Sequence, residues 1–117
     1  MVSLNATQFI GAQELLGQIN HSYETKRVGT RLESLDQMWS RKLEASKERG
    51  IHSSIMERGY QGEDIALHIT PRWGDEPGHN VFVDDGHHRI AAGADVERTT
   101  GKSVMIPVKT FDQRKKV

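Results

Sequence analysis

An apolar strand that runs directly into a glycine corner and then into a helix is the pattern that restricts the fold of this sequence most. Residues 81–83 are valine, phenylalanine and valine, Asp84, Asp85 and Gly86 follow, and 87–92 reads His-His-Arg-Ile-Ala-Ala. Amides at a helix start lack partners within the helix and carry partial positive charge, so they attract anions. The pattern therefore predicts a strand–turn–helix unit with an anion-binding site at its turn.

The side chains at this corner have the chemistry that phosphate oxygens require. Gly86 lets a backbone approach closely, and Arg89 offers a planar fork of donors. The imidazoles of His87 and His88 donate hydrogen bonds or share a proton near neutral pH. The residues predicted to bind phosphate are therefore Gly86, His87, His88 and Arg89.

The remaining hydrophobic pattern predicts an α+β fold in which helices pack on a small mixed sheet. Helices are expected from a cap at Asn5 or Thr7 to Ile19, from a Thr30–Glu33 capping box to Gly50, from a Ser54–Glu57 capping box to Gly59, and over 87–94. Strands are expected at 65–69, 80–84 and 104–108, with a turn-rich stretch over 70–78. Pro107 favours an edge position or a strand end for the last of them.

The amino-acid composition excludes several classes of fold and function. The 117 residues predict a single domain over 1–117, and the absence of cysteine excludes disulfide scaffolds, thiolate zinc sites and thiol nucleophiles. No apolar run is long enough to cross a membrane, so we expect a cytoplasmic protein without a membrane partner. Sixteen basic and sixteen acidic residues cancel, but acids dominate 61–97 and bases dominate the tail over 109–117. The balance disfavours strong binding of a nucleic-acid duplex.

At these residues the sequence resembles the ParB/sulfiredoxin-like superfamily, often called the ParB-like nuclease domain. The resemblance covers about 35–108 and rests on Asp85-Gly-His-His-Arg-Ile-Ala-Ala92, on the apolar strand before it, on the closing Ile106-Pro-Val108 strand and on Ser53-Ser-Ile-Met-Glu-Arg-Gly59. It implies a phosphate-binding corner at a helix N-terminus, formed by Gly86, His87, His88 and Arg89. It also implies a stand-alone member of the kind found in phages and mobile elements, located in the cytoplasm of the host cell.

The sequence departs from that family at three places. His87 stands where sulfiredoxin has its essential cysteine, so sulfiredoxin chemistry is excluded. The nine residues after Val108 supply neither the helix-turn-helix nor the dimerisation domain of full-length ParB. The 61–64 segment lacks the proline that usually precedes the first strand in that family.

One function compatible with this corner is hydrolysis of a phosphate ester or anhydride. Asp84 and Asp85 would hold Mg²⁺, which prefers one or two carboxylates together with phosphate oxygens. His87 or His88 would be the general acid or base, and Arg89 would offset charge on the phosphoryl group. The predicted catalytic residues are His88, His87 and Asp85, with Glu57 or Glu63 as a further carboxylate. The alternative for both aspartates is turn formation and helix capping.

Two functions without turnover are also compatible with the sequence. In the first, the corner binds a phosphate of a nucleotide, DNA or RNA, and the basic tail adds attraction. Trp73 then either stacks on a base or covers an edge of the core. In the second, the protein binds a host factor or a second copy of itself through the amphipathic helix over 32–49. Trp39 is assigned to the core in both cases. A zinc site from His79, His87 and His88 is disfavoured because adjacent helical side chains diverge by about 100°.

Overall fold

A computed structural model describes residues 6–72 and 78–114, which form four helices and two sheets. In chain order the elements are β1 (Gln8–Gly11), α1 (Ala12–Gln18), β2 (Arg27–Val28), β3 (Arg31–Leu32), α2 (Leu35–Glu48), α3 (Ile51–Arg58), β4 (Ile65–Pro71), β5 (His79–Val83), α4 (His87–Thr100) and β6 (Met105–Asp112). The α+β class is confirmed. Within the described ranges, no helix has the length and apolar character needed to cross a bilayer.

The main sheet is mixed, as expected, and has the strand order β1–β6–β4–β5. Strands β4 and β6 are parallel, while β1 pairs with β6 and β5 pairs with β4 in the antiparallel direction. The parallel pair requires a crossover, and β5 followed by α4 provides it. Strand β5 therefore ends, and α4 begins, beside the first residues of β4.

The predicted edge position of Pro107 is wrong, because β6 lies between β1 and β4. Pro107 is paired with Phe9 of β1, and the Ala12 amide donates to the Val104 carbonyl at 2.9 Å. Ala12 and Val104 therefore form a hydrogen-bonded pair. Because hydrogen-bonded and non-hydrogen-bonded pairs alternate along an antiparallel ladder, Phe9 and Pro107 form a non-hydrogen-bonded pair, and the nitrogen of Pro107 points away from β1. Strand β4 begins only at Ile65, opposite Val108, so the missing N–H costs no ladder bond there.

Helix α4 is the centre of the helical layer, since α1, α2 and α3 all pack against it. Its small residues allow a close approach to neighbouring elements. A Cβ on Gly93 would lie 2.9 Å from the Cβ of Ala12 and 3.2 Å from Val104. The core cluster consists of side chains from the helices and from one face of the sheet, and it includes Trp39, only 6 % exposed, as expected.

Buried Glu97 of α4 joins three elements through its carboxylate. One oxygen accepts the Gln13 amide in the first turn of α1 at 2.8 Å, and the other accepts the Val104 amide just before β6 at 2.7 Å. A carboxylate near the start of α1 replaces the side-chain cap that Gly11 does not supply. This one side chain thereby fixes the entry to α1 and to β6.

Three predicted helix starts are wrong. The segment around Phe9 is a strand, because it pairs with β6, and the helix begins only at Ala12. The helix predicted over 32–49 begins at Leu35, since a capping box of Ser34 and Gln37 starts it. Residues 30–32 belong instead to a hairpin.

The shorter helix begins at Ile51 rather than at a Ser54 cap, because Gly50, with φ of 76°, ends one helix and starts the next. Helix α4 and strands β4 and β6 continue beyond their predicted ends, whereas β5 ends one residue earlier than expected. The candidate cap Asn5, the candidate stacking residue Trp73 and the lysines at 115–116 lie outside the described residues.

We predict that Glu97→Gln lowers the free energy of unfolding by about 1 to 3 kcal/mol. The amide has only one oxygen, so one of the two backbone N–H groups, of which that of Val104 is buried, would face another donor. Urea denaturation measures the change, and Glu57→Gln, on the exposed surface of α3, is the matched control. Equal stability of the two variants would contradict this role of Glu97.

Candidate functional site

The predicted strand–turn–helix corner is present in the structure. A close contact between Gly86 and Ile65 sets its position. Gly86 has a φ of 104°, and a Cβ on it would lie 2.8 Å from Cδ1 of Ile65 at the start of β4. A side chain at this position would be excluded both by the backbone conformation and by lack of space. The start of α4 is therefore seated directly over the first residue of β4.

A cleft of about 350 Å³ opens beside this corner, between the starts of α3 and α4. Its lining combines cationic, glycine and aliphatic residues. The lining includes Arg49, Gly50, Ile51, Gly86, His88 and Arg89, together with the carboxylate of Asp85. The fold thus brings a second helix start to the corner that was predicted from α4 alone.

Both helix starts present amides without a side-chain cap. Gly50 precedes α3 and Gly86 precedes α4, and neither helix receives a capping hydrogen bond from a side chain in the described part of the chain. The first intrahelical amides to donate are those of Ser54 and Ile90, to the carbonyls of the two glycines. The preceding amides of each helix give the cleft partial positive charge from two sides.

Arg89 is held beside the cleft by its surroundings. Its guanidinium carbon lies 5.9 Å from the centroid of the Tyr60 ring, and Nη2 lies 3.7 Å from a carboxylate oxygen of Asp85. A Cβ on Gly62 would approach Nη1 to 2.6 Å. Tyr60 is anchored by a 2.7 Å hydrogen bond from its hydroxyl to the Glu63 carbonyl, and burial raises the pKa of that hydroxyl. The guanidinium is therefore largely preorganised.

His88 is half-buried and lines the cleft, where its environment favours the neutral imidazole. Burial lowers the pKa of His88, and the positive charges of Lys42 and Arg49 lower it further. A neutral imidazole can accept a proton or, through its protonated nitrogen, donate a hydrogen bond. A bound anion would oppose the effect of these cations and raise the pKa of His88.

His87 points in another direction and does not line the cleft. Its side chain is buried, with Nε2 3.1 Å from the Ser22 hydroxyl and the ring 5.5 Å from the Trp39 ring. Burial and then the charge of Lys42 lower the pKa of His87. Its backbone amide still belongs to the start of α4, so the contribution of His87 to an anion site would come from the backbone.

The two aspartates of the corner are separated as well. Asp84 turns toward β4, where Oδ2 lies 2.8 Å from Nε2 of His68, whereas the exposed carboxylate of Asp85 lines the cleft. Neither Glu57 nor Glu63 is among the lining residues. Across the described ranges, no group of three or more His, Asp or Glu side chains is arranged to hold a metal ion. Asp85 is thus the predicted metal ligand that faces the cleft.

Arg49 is the important cleft residue that sequence reasoning missed. It is exposed at the end of α2, and no carboxylate of the described residues forms an ion pair with it. Nothing in its local sequence distinguishes it from the other cations of that helix. The residue that could have indicated this part of the site is Gly50, since a glycine between two helices marks the place where a new helix start is exposed.

Comparisons of the chain with protein-family models, with curated proteins and with solved structures found no match. Two helix starts, two arginines and one histidine of lowered pKa lie on a single cleft.

We predict that Arg49→Ala raises the pKa of His88, because it removes a positive charge that disfavours the imidazolium. The pKa is measured by NMR titration of the imidazole resonances in the wild type and the variant. Arg58→Ala, at the exposed end of α3, is the matched control and should leave the titration unchanged. A pKa of His88 that falls, or stays the same, in Arg49→Ala would contradict the described geometry.

Proposed function

We propose that the protein binds a phosphate group of a nucleotide or a nucleic acid in the cleft between α3 and α4. The observation that carries this proposal is the convergence of two uncapped helix starts on one cleft. Phosphate oxygens accept hydrogen bonds from such amides, and the dipoles of both helices favour negative charge there. The resemblance to ParB-like domains, which rests on residues 53–59, 81–92 and 106–108, implies the same chemistry.

The two arginines suit a bound phosphate and have different surroundings. Arg89 has a fixed orientation and a carboxylate neighbour, Asp85, which an incoming phosphate would replace as its partner. Arg49 is exposed and also lines the cleft. Charge-assisted bonds from guanidinium to phosphate are stronger than those between neutral groups and favour a planar, two-point contact.

The size of the cleft supports a small ligand group. About 350 Å³ is near the lower end of the range for sites that bind small molecules. The acidic charge of the 61–97 segment and the zero net charge of the chain disfavour a duplex laid along the surface. A nucleotide, or one phosphate of a flexible strand, matches these constraints best.

Turnover is a second candidate function, favoured by the presence of His88 and Asp85 on the same cleft. A neutral His88 can take a proton from an attacking water, as a general base does. Asp85 would supply one oxygen ligand to Mg²⁺, with bound phosphate and water supplying the others. In this mechanism His87 would act only through its backbone amide, since its ring lies in the core.

We predict that Arg89→Ala weakens binding of pyrophosphate, adenosine monophosphate and a short single-stranded oligonucleotide by about tenfold or more. Isothermal calorimetry measures the affinities, and circular dichroism checks that the fold is retained. Arg58→Ala is again the control, because it carries the same charge change outside the cleft.

The same samples, incubated with Mg²⁺ and analysed for products, distinguish the two functions. Ligand that is bound and recovered unchanged supports a binding protein. Product that forms with the wild type and not with His88→Gln supports hydrolysis. Unchanged affinity of Arg89→Ala for all three ligands would refute the phosphate site itself.

A further inference from the structure

The hairpin formed by β2 and β3 projects from the molecule without contributing to the core. Every residue from 26 to 32 is exposed, and the two strands pair only with each other. A two-stranded hairpin in water is marginally stable by itself. The hairpin therefore keeps a defined position only through the contacts at its base.

Glu33 and Arg41 attach the base of the hairpin to α2. The Glu33 amide donates to the Lys26 carbonyl at 2.8 Å, and the Glu33 carboxylate accepts the Lys26 amide at 2.9 Å. Arg41 forms a 2.7 Å ion pair with the same carboxylate and donates to the Glu24 carbonyl at 2.7 Å. At the other end, Gly29 has a φ of 64° in a two-residue loop, which is typical of a tight hairpin turn.

The hairpin presents two aliphatic and two cationic side chains to solvent. Val28 is 68 % exposed and Leu32 is 61 % exposed. Arg27 and Arg31 form no ion pair with a carboxylate in the part of the chain that the structure describes. Together with Ser34 and Gln37, the hairpin borders a groove of about 500 Å³ beside the start of α2.

The backbone of Leu32 is also available on the outer edge of β3. The pair Lys26–Glu33 makes a backbone hydrogen bond, so the next pair, Arg27–Leu32, is one that makes none. In an antiparallel ladder the N–H and C=O groups of such a pair point away from the partner strand. An extended segment placed in the groove can pair with these groups, as in strand addition.

We propose that this hairpin and groove bind an extended segment of a partner protein that carries acidic and aliphatic side chains. Carboxylates would pair with Arg27 and Arg31, while aliphatic side chains would cover Val28 and Leu32. A nucleic-acid backbone would satisfy the arginines and leave the aliphatic side chains without a partner, and the hairpin has no aromatic ring on which a base could stack. The fixed base of the hairpin reduces the ordering that binding requires.

The test is a selection from a library of random twelve-residue peptides on the immobilised full chain. Recovered peptides should be enriched in acidic and aliphatic residues. Synthetic copies should bind the double variant Arg27→Glu/Arg31→Glu at least tenfold more weakly than the wild type. The matched control is Lys47→Glu/Arg58→Glu, which reverses two exposed charges elsewhere on α2 and α3. The fold should be unaffected in both, since neither pair is buried.

Three results would overturn the proposal. The first is that the recovered peptides show no acidic enrichment, and the second is that they bind both double variants equally. The third is that a single-stranded or duplex oligonucleotide, or a second copy of the chain detected by sedimentation, binds and loses this binding on reversal of Arg27 and Arg31. Amide exchange gives a direct readout, because a bound peptide should protect the Leu32 amide. The phosphate cleft is not involved, so failure here leaves it untouched.

Discussion

The contact between Gly86 and Ile65 is the constraint on which the candidate site depends. A glycine in the left-handed region turns the chain from β5 into α4 and permits the helix start to rest on the first side chain of β4. Helix α4 is in turn the element against which the other three helices pack. The contact between Gly86 and Ile65 thereby sets the position of the amides at the start of α4. It also sets the position of the helix on which α3 packs.

Local sequence patterns predicted the corner. The elements that these patterns did not predict depend on contacts with distant parts of the chain. The 81–92 segment contains its own strand, glycine and helix start, so its conformation follows from neighbouring residues. Strand β1 has no such independence, because only pairing with β6, almost one hundred residues later, makes it a strand. Thr30 and Glu33 have the spacing of a capping box, but Arg41 binds Glu33, and Ser34 with Gln37 forms the box instead.

The histidine pair shows why residue types alone did not assign roles at the site. His87 and His88 are adjacent on α4, so their side chains diverge, and the surroundings determine which one reaches the cleft. The His87 ring lies in the interior, beside Trp39 and within hydrogen-bond distance of the Ser22 hydroxyl, whereas His88 lines the cleft beside α3. Arg49 reaches the same cleft from a distant part of the sequence, and this neighbour could be found only from the fold.

The central claim is that the two helix starts act together on one anion. An NMR titration of the amide resonances with sulfate tests it most directly, because each amide reports its own environment. The account predicts that amides at the starts of α3 (51–53) and α4 (87–89) shift together and saturate with one dissociation constant. Shifts confined to one helix start, or no saturable shift at either, would contradict it.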